Sequence, residues 1–176
     1  MLIKTIFAGF GGQGVISMGL NVAQAAMIEG KNVTHLPSYG AEMRGGTANC
    51  TVAVSDEEIA SPVASAPEFV VVMNQPSLLR FQNQLESGGV MFINSSLVEI
   101  EVTRGDVEVV KVPANKMAEE LGSVRSANMV MLGAFIKRTN LVSIDTMVDV
   151  VKTAMRGKSN LFAVNKKALL AGYEMF

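Results

Sequence analysis

Short apolar segments alternate with longer segments of helical periodicity along most of the chain. Residues 2–8 form a β-branched, apolar run that predicts a strand, and residues 15–29 place Ala, Leu, Met and Val at helical spacing. Gly30 is placed to end this helix, because glycine adopts the left-handed conformation of a helix C-cap at little cost. Further strands are predicted at residues 33–36, 47–54, 69–73, 90–93 and 107–112. Further helices are predicted at residues 75–85, 113–121, 126–138, 143–155 and 161–173, with Ser143 as an N-cap.

This alternation predicts an α/β fold, a Rossmann-like three-layer sandwich with a mostly parallel sheet and a helical C-terminal third. The first strand, first helix and second strand form a β-α-β unit, whose strands we expect to lie parallel with a right-handed crossover. No shift in composition marks a second domain, so residues 1–176 are interpreted as a single domain.

The amino-acid composition excludes several classes of function. Hydrophobic residues make up 49% of the chain and charged residues 18%, which favours a subunit with a large contact face. A net charge of −1 without a basic run argues against nucleic-acid binding. The N-terminus does not resemble a signal peptide, and no apolar run reaches the roughly 18 residues that a bilayer crossing needs, so we expect a cytoplasmic protein. One Cys and one His cannot supply a zinc or iron–sulfur ligand set, which places any redox centre on another chain.

A glycine-rich motif, G-x-G-x-x-G, lies between the first predicted strand and the first predicted helix. Such a loop allows close approach of a ligand or partner and presents backbone amides that favour a negative group. A dinucleotide site would also need an acidic residue at the end of the second strand, and residues 33–37 contain none. An anion or partner contact, a structural turn and a dinucleotide site remain as alternatives. The candidate residues of this loop are Gly9, Gly11, Gly12, Gln13 and Gly14.

A second glycine-bearing loop joins the second and third strands. Both loops should emerge at the carboxyl ends of strands, where α/β sheets collect ligands, so we expect them to form one surface. Arg44 could bind a carboxylate or phosphate, or could pair internally with Glu42. His35 and Cys50 are interpreted as structural, and no catalytic or metal-binding set is recognised. The candidate residues of this second loop are Tyr39, Gly40, Glu42, Arg44, Gly45 and Gly46.

The two loops together, residues 9–15 and 39–49, resemble the gamma subunit family of 2-oxoacid:ferredoxin oxidoreductases, and the resemblance continues through residues 126–133. It implies a complex that oxidatively decarboxylates a 2-oxoacid to an acyl-CoA and passes electrons to ferredoxin. Thiamine diphosphate, Mg²⁺ and iron–sulfur clusters would be held by other subunits, with coenzyme A on or shared with them. The implied partners are alpha, beta and ferredoxin-like delta subunits, with this chain packed near the thiamine-binding active site.

Residues 42–47, Glu-Met-Arg-Gly-Gly-Thr, are similar to the 2-oxoglutarate type, which forms succinyl-CoA, although Ala41 stands where proline is expected. The leading hypothesis is an enzyme subunit that is not catalytically complete alone. In it Gln13, Tyr39, Glu42 and Arg44 shape the entrance for coenzyme A or substrate, with Arg44 as the anion-binding group. The alternatives are a nucleotide-binding regulatory module and a purely scaffolding subunit, and the isolated chain could form a homodimer through its apolar face.

Overall fold

The computed structural model describes residues 1–39 and 46–176. Its strands form one sheet, in the order β2-β3-β1-β4-β5-β6. The strands are β1 (Leu2–Phe10), β2 (Asn32–Tyr39), β3 (Thr47–Ser55), β4 (Phe69–Val72), β5 (Val90–Asn94) and β6 (Glu108–Val112). The helices are α1 (Val15–Ile28), α2 (Gln75–Phe81), α3 (Ala114–Glu120), α4 (Ala127–Thr139), α5 (Ile144–Ala154) and α6 (Ser159–Tyr173), with a 3₁₀ turn at Val124–Ser126.

The sheet is mixed because β3 runs against its neighbours. β1, β4, β5 and β6 are parallel neighbours, whereas β3 pairs antiparallel with both β1 and β2. β1 and β2 therefore share a direction, as predicted, but they are not adjacent, since β3 returns from β2 and inserts between them. Antiparallel pairing needs only a short connection, which the segment between β2 and β3 supplies. Five of the six strands share one direction, and this confirms the predicted mostly parallel sheet.

Helices cover both faces of the sheet. α1 and α3–α6 bury one face, and α2 covers the other, where Leu78 and Phe81 pack with Ile6 and Met91. This arrangement confirms the predicted three-layer α/β class and the helical C-terminal third.

Two helix boundaries are set by the residues at the helix ends. Gly30 (φ 81°) ends α1, and Ser143 Oγ caps α5 by accepting a hydrogen bond from Thr146 N at 3.1 Å, as the sequence predicted.

Two elements differ most in length from their predictions. α2 ends at Phe81 instead of continuing to residue 85. Beyond it the chain tightens into a turn in which Gln84 N donates to the Phe81 carbonyl at 3.0 Å, and Arg104 donates to the carbonyls of Gln82 and Leu85. β2 extends to Tyr39, through Pro37, although a proline normally interrupts a strand. It is tolerated here because β2 is the edge of the sheet, where a missing N–H need not cost a ladder hydrogen bond.

α4 is the central helix of the covered face. Its Phe135 is fully buried and packs edge-on against Phe7, Phe69 and Phe92, with ring centroids at 5.3, 5.8 and 5.3 Å. These three rings come from β1, β4 and β5, so one side chain fixes α4 across the middle of the sheet.

α4 also crosses α6 at backbone contact. A Cβ added to Gly133 would lie 1.9 Å from the carbonyl oxygen of Leu169, and one added to Gly172 would lie 1.9 Å from that of Val130. No side chain fits between the two helices at this crossing. The two glycines therefore set how closely α6 can approach the rest of the molecule.

Candidate functional site

The glycine loop joins β1 to α1, as the motif predicted, and its glycines meet different requirements. A Cβ on Gly9 would lie 2.7 Å from Gln13 Oε1, so Gly9 leaves room for that carboxamide. Gly12 and Gly14 have φ angles of 95° and 75°, a region that other residues rarely adopt. A Cβ on Gly14 would also lie 2.3 Å from Asn128 Nδ2. The loop conformation thus depends on glycine at all three positions.

Gln13 turns its side chain towards the sheet. Its Oε1 accepts hydrogen bonds from Phe10 N at 2.7 Å and from Asn74 Nδ2 at 3.0 Å, and its Nε2 donates to the Met73 carbonyl at 3.2 Å. The same carbonyl accepts a hydrogen bond from Asn94 Nδ2 at 3.2 Å. A row of carboxamides therefore connects the glycine loop to the carboxyl ends of β4 and β5.

The two ends of the second loop lie against the glycine loop. Gly11 N donates to the Gly46 carbonyl at 2.9 Å. Between them lies the glycine-loop cleft, a cavity of about 520 Å³ bordered by both loops. Its lining residues are Phe10, Gly11, Gly12, Gly14, Val15, Ile16, Ser17, Tyr39, Gly46, Thr47 and Ala48. Of the predicted residues of the second loop, Tyr39 and Gly46 are thus brought to the glycine loop, while Gly40, Glu42, Arg44 and Gly45 lie outside the described residues.

The electrostatics of the glycine-loop cleft favour a negative group. α1 begins at its edge with Gly14, so no side chain caps the first-turn amides of the helix. The positive end of the helix dipole and these amides together stabilise anions. No Asp or Glu occurs among the described lining residues of the cleft. The cleft can therefore hold a phosphate or carboxylate through backbone groups.

A smaller cavity of about 190 Å³ adjoins the loop on its other side, where Gly12 and Gln13 meet Asn115, Arg125 and Asn128. The sequence did not single out Arg125 or Asn128 as site residues, since Asn128 entered only through the motif at 126–133 and Arg125 lies just before that motif. The available signal was a polar Asn inside the apolar start of α4, one helical turn after an Arg. Their proximity to the glycine loop depends on how α4 docks, which local pattern does not show.

Neither His35 nor Cys50 lines the glycine-loop cleft. Cys50 is fully buried against α1, its Sγ lies 3.5 Å from the Val15 carbonyl oxygen, and burial raises the pKa of its thiol to about 12. A thiol in this state is a poor nucleophile or metal ligand. Burial lowers the pKa of His35, partly opposed by the backbone of Ile16. Within residues 1–39 and 46–176 no cluster of three or more His, Cys, Asp or Glu side chains could hold a metal ion.

A dinucleotide is a poor fit to this edge of the sheet. β2, which would carry the ribose-binding acid, ends at Tyr39 and is separated from β1 by β3.

In the part of the chain that the structure describes, no helix is long and apolar enough to cross a bilayer.

Comparison with known proteins places these features in one family. The family model described as "Pyruvate ferredoxin/flavodoxin oxidoreductase" matches residues 4–175. Ketoisovalerate oxidoreductase subunit VorA from Methanothermobacter thermautotrophicus is 38% identical over 174 residues, which cover 98% of this chain and 36% of VorA. The chain therefore spans about a third of the length of this curated relative.

Solved structures share the fold. The gamma subunit of the keto/oxoacid ferredoxin oxidoreductase from Geobacter sulfurreducens has a TM-score of 0.84 and 29% identity, covering 98% of this chain and 96% of that one. The 2-oxoglutarate:ferredoxin oxidoreductase from Magnetococcus marinus, solved with 2-oxoglutarate, coenzyme A and succinyl-CoA bound, has a TM-score of 0.90 and 25% identity over 99% of this chain and 31% of that one. These matches confirm the resemblance stated from the two loops, and the chain belongs to the pyruvate ferredoxin/flavodoxin oxidoreductase family, as a gamma-type member.

Proposed function

We propose that this chain is the gamma subunit of a thiamine diphosphate-dependent 2-oxoacid:ferredoxin oxidoreductase, and that its glycine-loop cleft receives coenzyme A. The proposal that coenzyme A binds there depends on the N-terminus of α1, which no side chain caps and which lies at a cleft lined by glycine backbone. The described lining residues of this cleft include no Asp or Glu. Coenzyme A is a phosphate-bearing ligand, which this environment favours. The coenzyme A in the Magnetococcus marinus structure supports this assignment.

The chain supplies binding groups, and the reactive groups belong to its partners. One Cys and one His are too few for the ligand set of an iron–sulfur or zinc centre. Alpha, beta and ferredoxin-like delta subunits would hold thiamine diphosphate, Mg²⁺ and the clusters that pass electrons to ferredoxin. The match to about a third of VorA supports close contact with such partners, because there this segment is part of a longer polypeptide.

Within this reaction class we propose 2-oxoglutarate as substrate and succinyl-CoA as product. The support is the Glu-Met-Arg-Gly-Gly-Thr sequence at residues 42–47 and the 2-oxoglutarate enzyme among the solved relatives. Because one relative is named for ketoisovalerate, the substrate has to be tested by a direct assay. In the assembled complex we expect the highest kcat/KM with 2-oxoglutarate, measured by reduction of a ferredoxin-type dye beside pyruvate and 2-oxoisovalerate. A higher kcat/KM for either competitor would reassign the substrate.

Adding a negative charge at Tyr39 should weaken coenzyme A binding. Tyr39 lines the glycine-loop cleft and is 65% exposed, so its replacement disturbs little packing. Tyr39→Glu is expected to raise the KM for coenzyme A about 3- to 10-fold over Tyr39→Gln, because like charges repel, and the difference should shrink at high salt. The measurement is steady-state kinetics of the assembled complex, with coenzyme A and the 2-oxoacid varied separately.

The matched pair Tyr39→Glu and Tyr39→Gln differs mainly in charge, which removes the loss of the aromatic ring from the comparison. The KM for the 2-oxoacid should be equal in both variants. Equal coenzyme A KM values in the two variants, with normal assembly, would contradict the cleft assignment and favour a scaffolding role for this face.

A further inference from the structure

A second cleft, of about 380 Å³, opens between α1, the start of α4 and the connection from α5 to α6. We refer to it as the interhelical cleft. Its lining residues are Ser17, Leu20, Asn21, Arg125, Ser126, Asn128, Met129, Ala154, Met155, Lys158, Leu161 and Asn165. Five elements contribute to it, namely α1, the 3₁₀ turn, α4, α5 and α6. Its volume lies within the range of about 300–1,000 Å³ that is usual for small-molecule sites.

Two carboxamides in the lining of the interhelical cleft make no hydrogen bond within the part of the chain that the structure describes. Asn21 is 6% exposed and Asn128 is 9% exposed, and neither side chain forms a hydrogen bond with any residue in the ranges 1–39 and 46–176. Neither residue is among those with a fully buried, unpaired polar atom, so both carboxamides keep contact with solvent. Both side chains line the cleft, so a bound molecule can supply the missing partners.

The charged groups of the cleft are cations. Arg125 and Lys158 are the charged residues in its lining, and neither forms an ion pair with the acidic side chains that the structure describes. Two cations without an acidic residue in the same lining favour a phosphate, which both Arg and Lys bind through charge-assisted hydrogen bonds.

Part of the wall of the cleft is apolar. Leu20 of α1 and Leu161 of α6 border it and are 43% and 44% exposed, and Met129 and Met155 complete its apolar part. Leucine and methionine at this position suit a flat, weakly polar group, since methionine adapts to irregular shapes. An inorganic phosphate alone would leave this surface uncovered.

We propose that the interhelical cleft binds a nucleoside phosphate. Its phosphate lies at Arg125 and Lys158, its base packs between the apolar walls, and the carboxamides of Asn21 and Asn128 meet the polar edge of the base. Carboxamides suit that edge because an Asn side chain can donate to and accept from adenine at once. This site lies beyond the glycine-loop cleft and does not depend on the proposed function.

The test is calorimetric titration of the full chain with AMP, with adenosine and inorganic phosphate as separate probes. Wild type should bind AMP saturably and more tightly than either part alone. Lys158→Gln should weaken AMP binding at least about 10-fold, the loss typical of a hydrogen bond to a charged group. Lys166→Gln is the matched control, because Lys166 is exposed on α6 and outside the cleft lining. Absence of saturable AMP binding, or equal affinities in all variants, would overturn the proposal.

Asn21→Leu separates a ligand site from a structural role. The Asn21 carboxamide makes no hydrogen bond within the described residues, so its replacement should leave the midpoint of thermal unfolding unchanged or raise it. AMP affinity should fall about 3- to 10-fold, the loss typical of a neutral hydrogen bond. A lower midpoint together with unchanged AMP affinity would show that Asn21 serves the fold, and would count against the site.

Competition between coenzyme A and AMP shows which nucleotide the cleft binds. If saturating coenzyme A blocks AMP, the cleft holds the nucleotide end of coenzyme A itself, and if AMP binds undiminished, the cleft serves a separate nucleotide. Tyr39→Glu should leave AMP affinity unchanged, because Tyr39 is not among the lining residues. Failure of the Tyr39 experiment and failure of the AMP experiment are thus distinguishable.

Discussion

Replacing Phe135 with Ala is expected to lower the free energy of unfolding by about 3–5 kcal/mol, the usual cost of deleting a buried phenylalanine. The side chain is fully buried and contacts rings from three strands, so the resulting cavity would lie between α4 and the middle of the sheet. The loss includes the edge-to-face contacts as well as the buried area. Urea denaturation of the full chain, followed by circular dichroism, measures the change.

Phe176→Ala provides the control for Phe135→Ala. Phe176 is half exposed at the C-terminus, so the same deletion there should change stability by no more than about 0.5 kcal/mol. A loss below about 1 kcal/mol for Phe135→Ala would mean that the aromatic cluster does not fix α4 on the sheet.

Replacing Gly133 with Ala is expected to destabilise the chain by about 1–3 kcal/mol or more, although alanine favours a helix over glycine by about 1 kcal/mol. The added Cβ would lie 1.9 Å from the Leu169 carbonyl oxygen and 2.7 Å from Tyr173 N. Both are backbone atoms, so the strain cannot be relieved by a side-chain rotation. α6 would have to move away from α4, and the midpoint of thermal unfolding should fall.

The control for the helix crossing is Gly105→Ala. A Cβ at Gly105 meets no atom within 4 Å, and the residue lies outside the helices. Alanine there should be neutral or slightly stabilising, because it reduces the freedom of the unfolded chain. If Gly133→Ala were as stable as Gly105→Ala, the close crossing of α4 and α6 would be contradicted.

The sequence predicted the elements well and their pairing less well. Residues 47–54 alternate in polarity, and that pattern is compatible with either strand direction, so it could not show that β3 runs against β1 and β2. Nor could the local pattern show that Arg104, from a later loop, binds the backbone carbonyls of Gln82 and Leu85 just after α2. Both features involve contacts between residues that are distant in sequence.

The same distinction applies to the candidate site. The motif correctly located the glycine loop at the start of α1, since its glycines act through local backbone geometry. It could not show that Gln13 faces inward, because its partners Met73 and Asn74 lie about 60 residues away. Nor could it bring Arg125 and Asn128 to the loop, since that depends on the docking of α4.

The hydrogen bonds of Gln13 have a consequence for ligand affinity. The Met73 carbonyl accepts one hydrogen bond from the glycine loop and one from Asn94, which in turn donates to Asn115 of α3 at 2.8 Å. Folding therefore immobilises the loop before any ligand arrives. An anion at the start of α1 meets amides already in position, so little conformational entropy is lost on association and little loop rearrangement needs to precede it.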